Sequence, residues 1–275
     1  MSATRAPRRW RRWGVSAGAF AFLAVFLFPV YWMVNASLQE GASSTGTGWW
    51  PDRPSLGGYR LALDEQLPYI ATSGVVAVGA VVCTLLIAVP AGFALAQLRG
   101  RTIDVLLIAC FVAQIIPSVV MATGLFSFYA RAGLLNTHLA IILADATLAA
   151  PLGILLVRAF VQRLPEELFQ AALVDGAGWL KTFLLIVVPL SRNVVITVSV
   201  FSFLFAWGDL VFAITMSTSP EVRPFTAGIY DYLGGGLTRW DAAMAAATLA
   251  AVPSLLILTF AQRSLTDGIT LGAVR

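Results

Sequence analysis

A single lysine, a single histidine and two cysteines are all that these 275 residues offer to several kinds of chemistry. A nucleotide hydrolase needs a Gly-rich loop, G-x-x-x-x-G-K-[ST], whose amides and lysine cradle phosphates. Lys181 is preceded by Leu180, so the chain has no such loop. His138 has no second histidine and no nearby cysteine, and reads as an interfacial side chain rather than a ligand. Cys83 and Cys110 sit inside apolar runs, where cysteine behaves as a small hydrophobe. They imply neither a disulfide framework nor a metal site. Charge is also scarce, at 12% of residues against about 25% in soluble domains. The net charge of +4 comes from basic residues beside apolar blocks, without interleaved aromatics, which argues against nucleic acid.

What is abundant is apolar sequence, 59% of the chain, gathered in blocks long enough to cross a hydrocarbon core of about 30 Å. Six blocks qualify: Gly14 to Ala36, Ile70 to Ala96, Ile103 to Ala130, Leu139 to Phe160, Val194 to Met216 and Ala242 to Ala261. Backbone groups in lipid must be satisfied internally, and none of these runs alternates as a barrel strand does, so each is expected to be a helix. Pro29, Pro90, Pro117, Pro151 and Pro253 predict kinks. The fold class is therefore an all-α membrane protein with six transmembrane helices. A cleaved signal peptide ending at Val34-Asn35-Ala36 is rejected, because the apolar stretch exceeds the limit of about 15 residues.

The Lys/Arg asymmetry sets the orientation. One side receives residues 5, 8, 9, 11, 12, 99, 101, 158, 163, 181, 192, 263 and 275, and the other receives 53, 60, 131, 223 and 239. Thirteen against five places both termini in the cytoplasm of a multi-pass plasma-membrane protein. The chain divides into a basic tail, 1–13, a membrane domain, 14–265, with a cytoplasmic connection at 161–193, and a tail, 266–275. The outer loop from Ser37 to Tyr69 holds a Gly/Ser turn at 41–46 and an interfacial anchor at Trp49-Trp50.

The cytoplasmic connection is far longer than two antiparallel helices need. From Pro165 to Gly176 it has the parts of a terminated helix: proline at the start, Glu166 and Glu167 opposing the positive dipole end, and Gly176 suited to a left-handed stop. Leu168, Ala171, Ala172 and Asp175 share one face, which Ala171 and Ala172 keep shallow. A helix lying on lipid is the bland alternative, and the two glutamates weaken it. A docking helix is favoured.

Gln170-Ala171-Ala172, three residues, Gly176, nine residues and Ile186-Val187-Val188-Pro189 resemble the E-A-A, G, I-x-L-P motif of ABC importer permeases, with Gln170 and Val188 departing from it. Similar segments include Ala91 to Arg99, Gly133 to Thr137, Phe205 to Ala213 (W-N-E-F with Gly208 and Asp209 in place of Asn and Glu), and Gly268 to Arg275. The resemblance is to the second permease of carbohydrate importers of the maltose-permease kind. It implies a type I importer permease fold, with no catalytic residue and no metal site in this chain. ATP and magnesium would be bound by a partner ATPase. The implied ATPase-coupling residues are Glu167, Leu168, Gln170, Ala171, Ala172, Asp175, Gly176 and Pro189. The implied partners are a homologous second permease, two nucleotide-binding ATPase subunits, an extracellular solute-binding protein and membrane lipid.

Asp145 and Asp209 lie within spans, where a charge costs about 3 kcal/mol or more. Both can serve the translocation pathway or a helix-packing hydrogen bond. Trp207 can stack on a sugar ring or pack. Two further readings stand beside the sugar importer: an ABC importer for another solute, and an ion-gradient transporter, which would favour broken helices.

Overall fold

A computed structural model describes residues 7–41, 48–234 and 239–273, with side chains at 13–41, 48–234 and 239–262. The first residues of the basic tail, positions 42–46 of the Gly/Ser turn and the last two residues of the C-terminal motif lie outside the described residues. In chain order come α1 (Pro7–Ser37), α2 (Gly57–Gln97), α3 (Arg101–Ala113), α4 (Ser118–Arg131) and α5 (His138–Val161). The connection after α5 carries α6 (Glu166–Val174), α7 (Trp179–Thr182), a π-helical turn (Phe183–Val187) and α8 (Val188–Leu190). Then follow α9 (Arg192–Gly208), α10 (Val211–Met216), a 3-10 turn (Pro220–Val222), α11 (Phe225–Gly234) and α12 (Trp240–Ala273). Among the described residues there is no strand, only an isolated bridge between Gln39 and Pro54.

Among the described residues four helices are long and apolar enough to span unbroken, and two bent pairs each have the length and composition of one further span: α3 with α4 at 103°, and Trp179–Leu190 with α9 at 75°. The six expected crossings are met only when each bent pair counts as one. The run from Ile103 to Ala130, expected as one helix kinked at Pro117, is corrected to two: Pro117 (φ −59°, ψ 135°) is extended and restarts the helix as the cap of α4. The run from Val194 to Met216 breaks at Asp209, whose ψ is 129°. Continuity of the helices therefore gives no argument against an ion-gradient transporter.

A second correction concerns α2, which begins at Gly57 rather than Ile70 and passes through Pro68. Its 41 residues span about 60 Å, twice the hydrocarbon core. The first turns carry Arg60, Asp64 and Glu65, polar residues that hide a helix from a hydropathy window.

The chain packs as two compact units, divided within α2, α11 and α12. In the first, Met1–Glu65 with Ile229–Leu249, the small residues Ala62, Ala245 and Ala246 form a core beside Tyr59 and Tyr232. Tyr232 donates its hydroxyl to Glu65 at 2.8 Å. Phe20, Val25 and Phe26 on α1 are exposed, as a lipid-facing helix requires. Trp49 and Trp50 are exposed too, held by Tyr31, whose hydroxyl donates to the Trp49 carbonyl and whose ring meets Trp50 edge-on.

In the second unit, Gln66–Gly228 with Ala250–Arg275, α5 lies against α2, α9 and α10. Small residues allow it: a Cβ at Gly153 would come 2.8 Å from the Ala88 Cβ and 3.0 Å from a Val198 methyl. Ser202 on α9 donates to Thr84 on α2 at 3.0 Å, a buried link between helices.

Candidate functional site

The cytoplasmic segment starts from its caps. Pro165 is the N-cap of α6, one position earlier than expected, and Glu166 and Glu167 occupy the first turn. At the other end Gly176 has φ +74°. Its N–H donates to the Leu173 carbonyl at 3.1 Å, and the Ala177 N–H donates to the Ala172 carbonyl at 2.8 Å. These two bonds are the Schellman termination, which satisfies carbonyls the helix end leaves orphaned.

The helix has two faces, and they differ from the expected division. Phe169 points inward, packed in one core with Phe93, Val157, Val161 and Val187, and Ala172 is buried as well. Ala172 is only 5% exposed and therefore offers no surface to a partner, a correction to the face read from spacing alone. The free face consists of Glu167, Leu168, Ala171, Val174 and Asp175, and Val174 is 87% exposed. Val174 was overlooked in the sequence, although it stands seven residues after Glu167 and three after Ala171, on the same stripe. Gln170 is exposed and turns aside, lining a cleft of about 660 Å³ with Glu166, Gln97, Arg99, Gln162 and Trp179.

The segment beyond is tied to the membrane helices. Phe93 near the end of α2 packs on Phe183 with ring centroids 5.2 Å apart and on Trp179 at 6.3 Å. Arg158 near the end of α5 donates to the Leu95 carbonyl at 3.2 Å. Pro189 cannot donate to the carbonyl four residues back, and the backbone before it runs as a π turn. Val187 is fully buried while Pro189 is exposed. Phe169 on α6 thus shares one packed core with Phe93 of α2, Val157 and Val161 of α5 and Val194 and Val198 of α9.

The membrane residues form a separate group. Asp209 Oδ2 accepts from the N–H groups of Phe212 at 2.8 Å and Ala213 at 3.0 Å, capping α10. Its backbone carbonyl accepts from the Thr226 hydroxyl at 2.6 Å. Trp207 is enclosed, stacked on Phe203 at 5.3 Å and tilted against Phe225 at 5.0 Å, with its indole N–H donating to the Ala250 carbonyl at 3.0 Å. That bond lies one residue from the Leu249 carbonyl, which Pro253 leaves without its helical donor. Asp145 is 1% exposed and neither of its carboxyl oxygens has a hydrogen-bond partner. His138 opens α5 beside the cap Thr137, whose hydroxyl oxygen accepts from the Ala140 N–H at 3.2 Å. The free cysteines Cys83 and Cys110 are half-buried. Among the described residues no group of three or more His, Cys, Asp or Glu side chains converges on a point.

Residues 88–270 match the family described as binding-protein-dependent transport system inner membrane component. The chain is similar to the diacetylchitobiose uptake system permease protein DasC of Streptomyces coelicolor, 29% identical over 90% of this chain and 92% of that one. It is 31% identical to a probable ABC transporter permease protein, y4oR, of Sinorhizobium fredii, over 91% of each. Among solved structures, a bacterial ABC transporter involved in the import of the acidic polysaccharide alginate contains a chain of the same fold. There the TM-score is 0.75 at 19% identity, covering 96% of this chain and 99% of that one.

Proposed function

Since the chain belongs to the binding-protein-dependent transport system inner membrane components, and so is an ABC importer permease rather than an enzyme, we propose that it carries a sugar or oligosaccharide inward as half of a two-permease pore. The observation that carries the coupling mechanism is α6, capped at both ends, presenting Glu167, Leu168, Ala171, Val174 and Asp175 outward while Phe169 and Ala172 anchor it. Two nucleotide-binding subunits hold ATP and magnesium, and each permease offers a helix of this kind to one of them. Closure of the ATPase pair moves α6, and the Phe93, Trp179 and Phe183 contacts pass that motion to α2 and α9. A binding protein delivers the solute outside the plasma membrane, with both chain termini in the cytoplasm. The sugar assignment is supported by the relatives named for diacetylchitobiose and alginate.

The chain is co-expressed with its partner permease and ATPase, reconstituted in liposomes, and supplied with loaded binding protein. Solute uptake should require both internal ATP and the binding protein. Uptake that runs on an ion gradient without ATP overturns the reading, and binding-protein selectivity for a non-sugar overturns the solute class.

A further inference from the structure

The cleft beside α6 borders a different side of that helix from the free face at Glu167, Ala171 and Val174. Its walls come from four elements: Gln97 ends α2 and Arg99 follows it, Gln162 caps α5, Glu166 and Gln170 stand on α6, and Trp179 opens α7. Val161 and Phe169, both buried, supply part of its apolar lining. Among the described residues none of the three glutamine amides has a hydrogen-bond partner, and Arg99 and Glu166 pair neither with each other nor with another group. Five polar side chains therefore converge on one space with their hydrogen-bonding capacity unspent.

Their chemistry selects a class of ligand. A primary amide both donates and accepts, as a sugar hydroxyl does. Arg99 and Glu166 carry opposite charges across the same cleft, so an anion would meet the glutamate and a cation the arginine, whereas a neutral ligand can bond to both. Trp179 is 52% exposed and offers an apolar ring on which the C–H face of a pyranose can lie while its hydroxyls reach the amides. The volume of about 660 Å³ falls within the range of small-molecule sites, about 300–1,000 Å³.

We propose that this cleft binds a neutral mono- or disaccharide on the cytoplasmic side and slows import when the carried sugar accumulates. The bound sugar ties the ends of α2 and α5 to α6 and α7, so it favours the state in which the docking helix has not shifted against the membrane helices. The inference rests on the carbohydrate reading of the solute and adds feedback to it.

The test uses the complete importer in liposomes with ATP inside and loaded binding protein outside. The vesicles are filled with maltose, with diacetylchitobiose or with isosmotic potassium chloride, each sugar at about 10 mM, enough to fill a site of millimolar affinity. Initial uptake should fall several-fold in the sugar-filled vesicles. Gln97→Ala and Gln162→Ala should keep the rate seen in salt and lose the slowing. Slowing retained in both variants places the sugar elsewhere, as in the pathway itself, and overturns the site, as does a rate that neither sugar changes. Protection is a second readout: in a chain whose Cys83 and Cys110 are alanine, a cysteine replacing Leu173, on the cleft wall, should react with a thiol reagent in the assembled importer and be slowed several-fold by either sugar. Reaction in the permease pair but not in the assembled importer shows that the ATPase subunit fills the cleft, and overturns the proposal. Uptake in the salt-filled vesicles reports ATP dependence and solute class whatever the cleft does, so a failed importer assignment is told apart from a failed site.

Discussion

Asn136 accepts two hydrogen bonds from Thr218 through a single side-chain oxygen, from its N–H at 2.7 Å and its hydroxyl at 3.0 Å. The same oxygen takes a third bond from the Ser219 N–H at 3.1 Å. The Asn136 backbone N–H donates to the Met216 carbonyl at 2.9 Å, and its φ is +58°, a region asparagine tolerates. One residue thereby clasps the α4–α5 turn to the chain leaving α10. Asn136→Ala loses the three acceptor bonds and strains the backbone, with an expected loss of about 1–3 kcal/mol. Asn136→Gly relieves φ but restores no acceptor, so its thermal unfolding temperature in detergent should recover only in part. Wild-type stability in the alanine variant would remove the clasp from the account.

The two faces of α6 make separable predictions. Val174→Asp and Ala171→Trp alter the free face and should leave the chain in the membrane while the ATPase subunit no longer co-purifies. Ala172→Trp overfills a buried position of the helix and should lower the amount of folded permease itself. The reverse pattern, with Ala172→Trp folded and uncoupled, would return Ala172 to the docking surface.

Gly176 holds φ +74° with open space around its Cα, so backbone conformation rather than crowding decides what fits. Gly176→Asn should be nearly neutral and Gly176→Val should cost about 1–2 kcal/mol locally and uncouple transport. Uptake by the valine variant at the wild-type rate would show that this helix end is dispensable.

At Gly153 the limit is space. A side chain there would drive α5 away from Ala88 and Val198, and Gly153→Leu is expected to prevent folding or cost at least about 3 kcal/mol. Gly153→Ala should be milder, and the order of the two in detergent unfolding is the check.

Orientation is tested by single cysteines in a chain whose Cys83 and Cys110 are replaced by alanine. A cysteine at the exposed Val174 should react from the cytoplasmic side only, and one at the exposed Trp50 from outside only. Labelling of position 174 in intact cells reverses the topology.

Much of this was legible in the residues. Glu166, Glu167 and Gly176 announced a capped helix because dipole and left-handed preferences act within a single turn, and the helix is there between them. Pro117 sat in plain view, but whether a proline kinks or breaks a span depends on what meets the freed backbone groups. The 103° turn was consequently read as a kink. Asp209 was legible as an acid in a span, yet its capping of α10 follows from a break that no periodicity marks.

Sequence by itself determined the lipid environment, the helical class and the capped cytoplasmic helix, because hydropathy, backbone satisfaction in lipid and end-capping are local. Which side of α6 is free, that Trp207 spends its indole on the Ala250 carbonyl, and that both carboxyl oxygens of Asp145 are buried without a hydrogen-bond partner were decided only by the tertiary structure. Each depends on residues far apart in the chain, and a side chain's partners there are set by which helices happen to pack together, not by its neighbours in sequence.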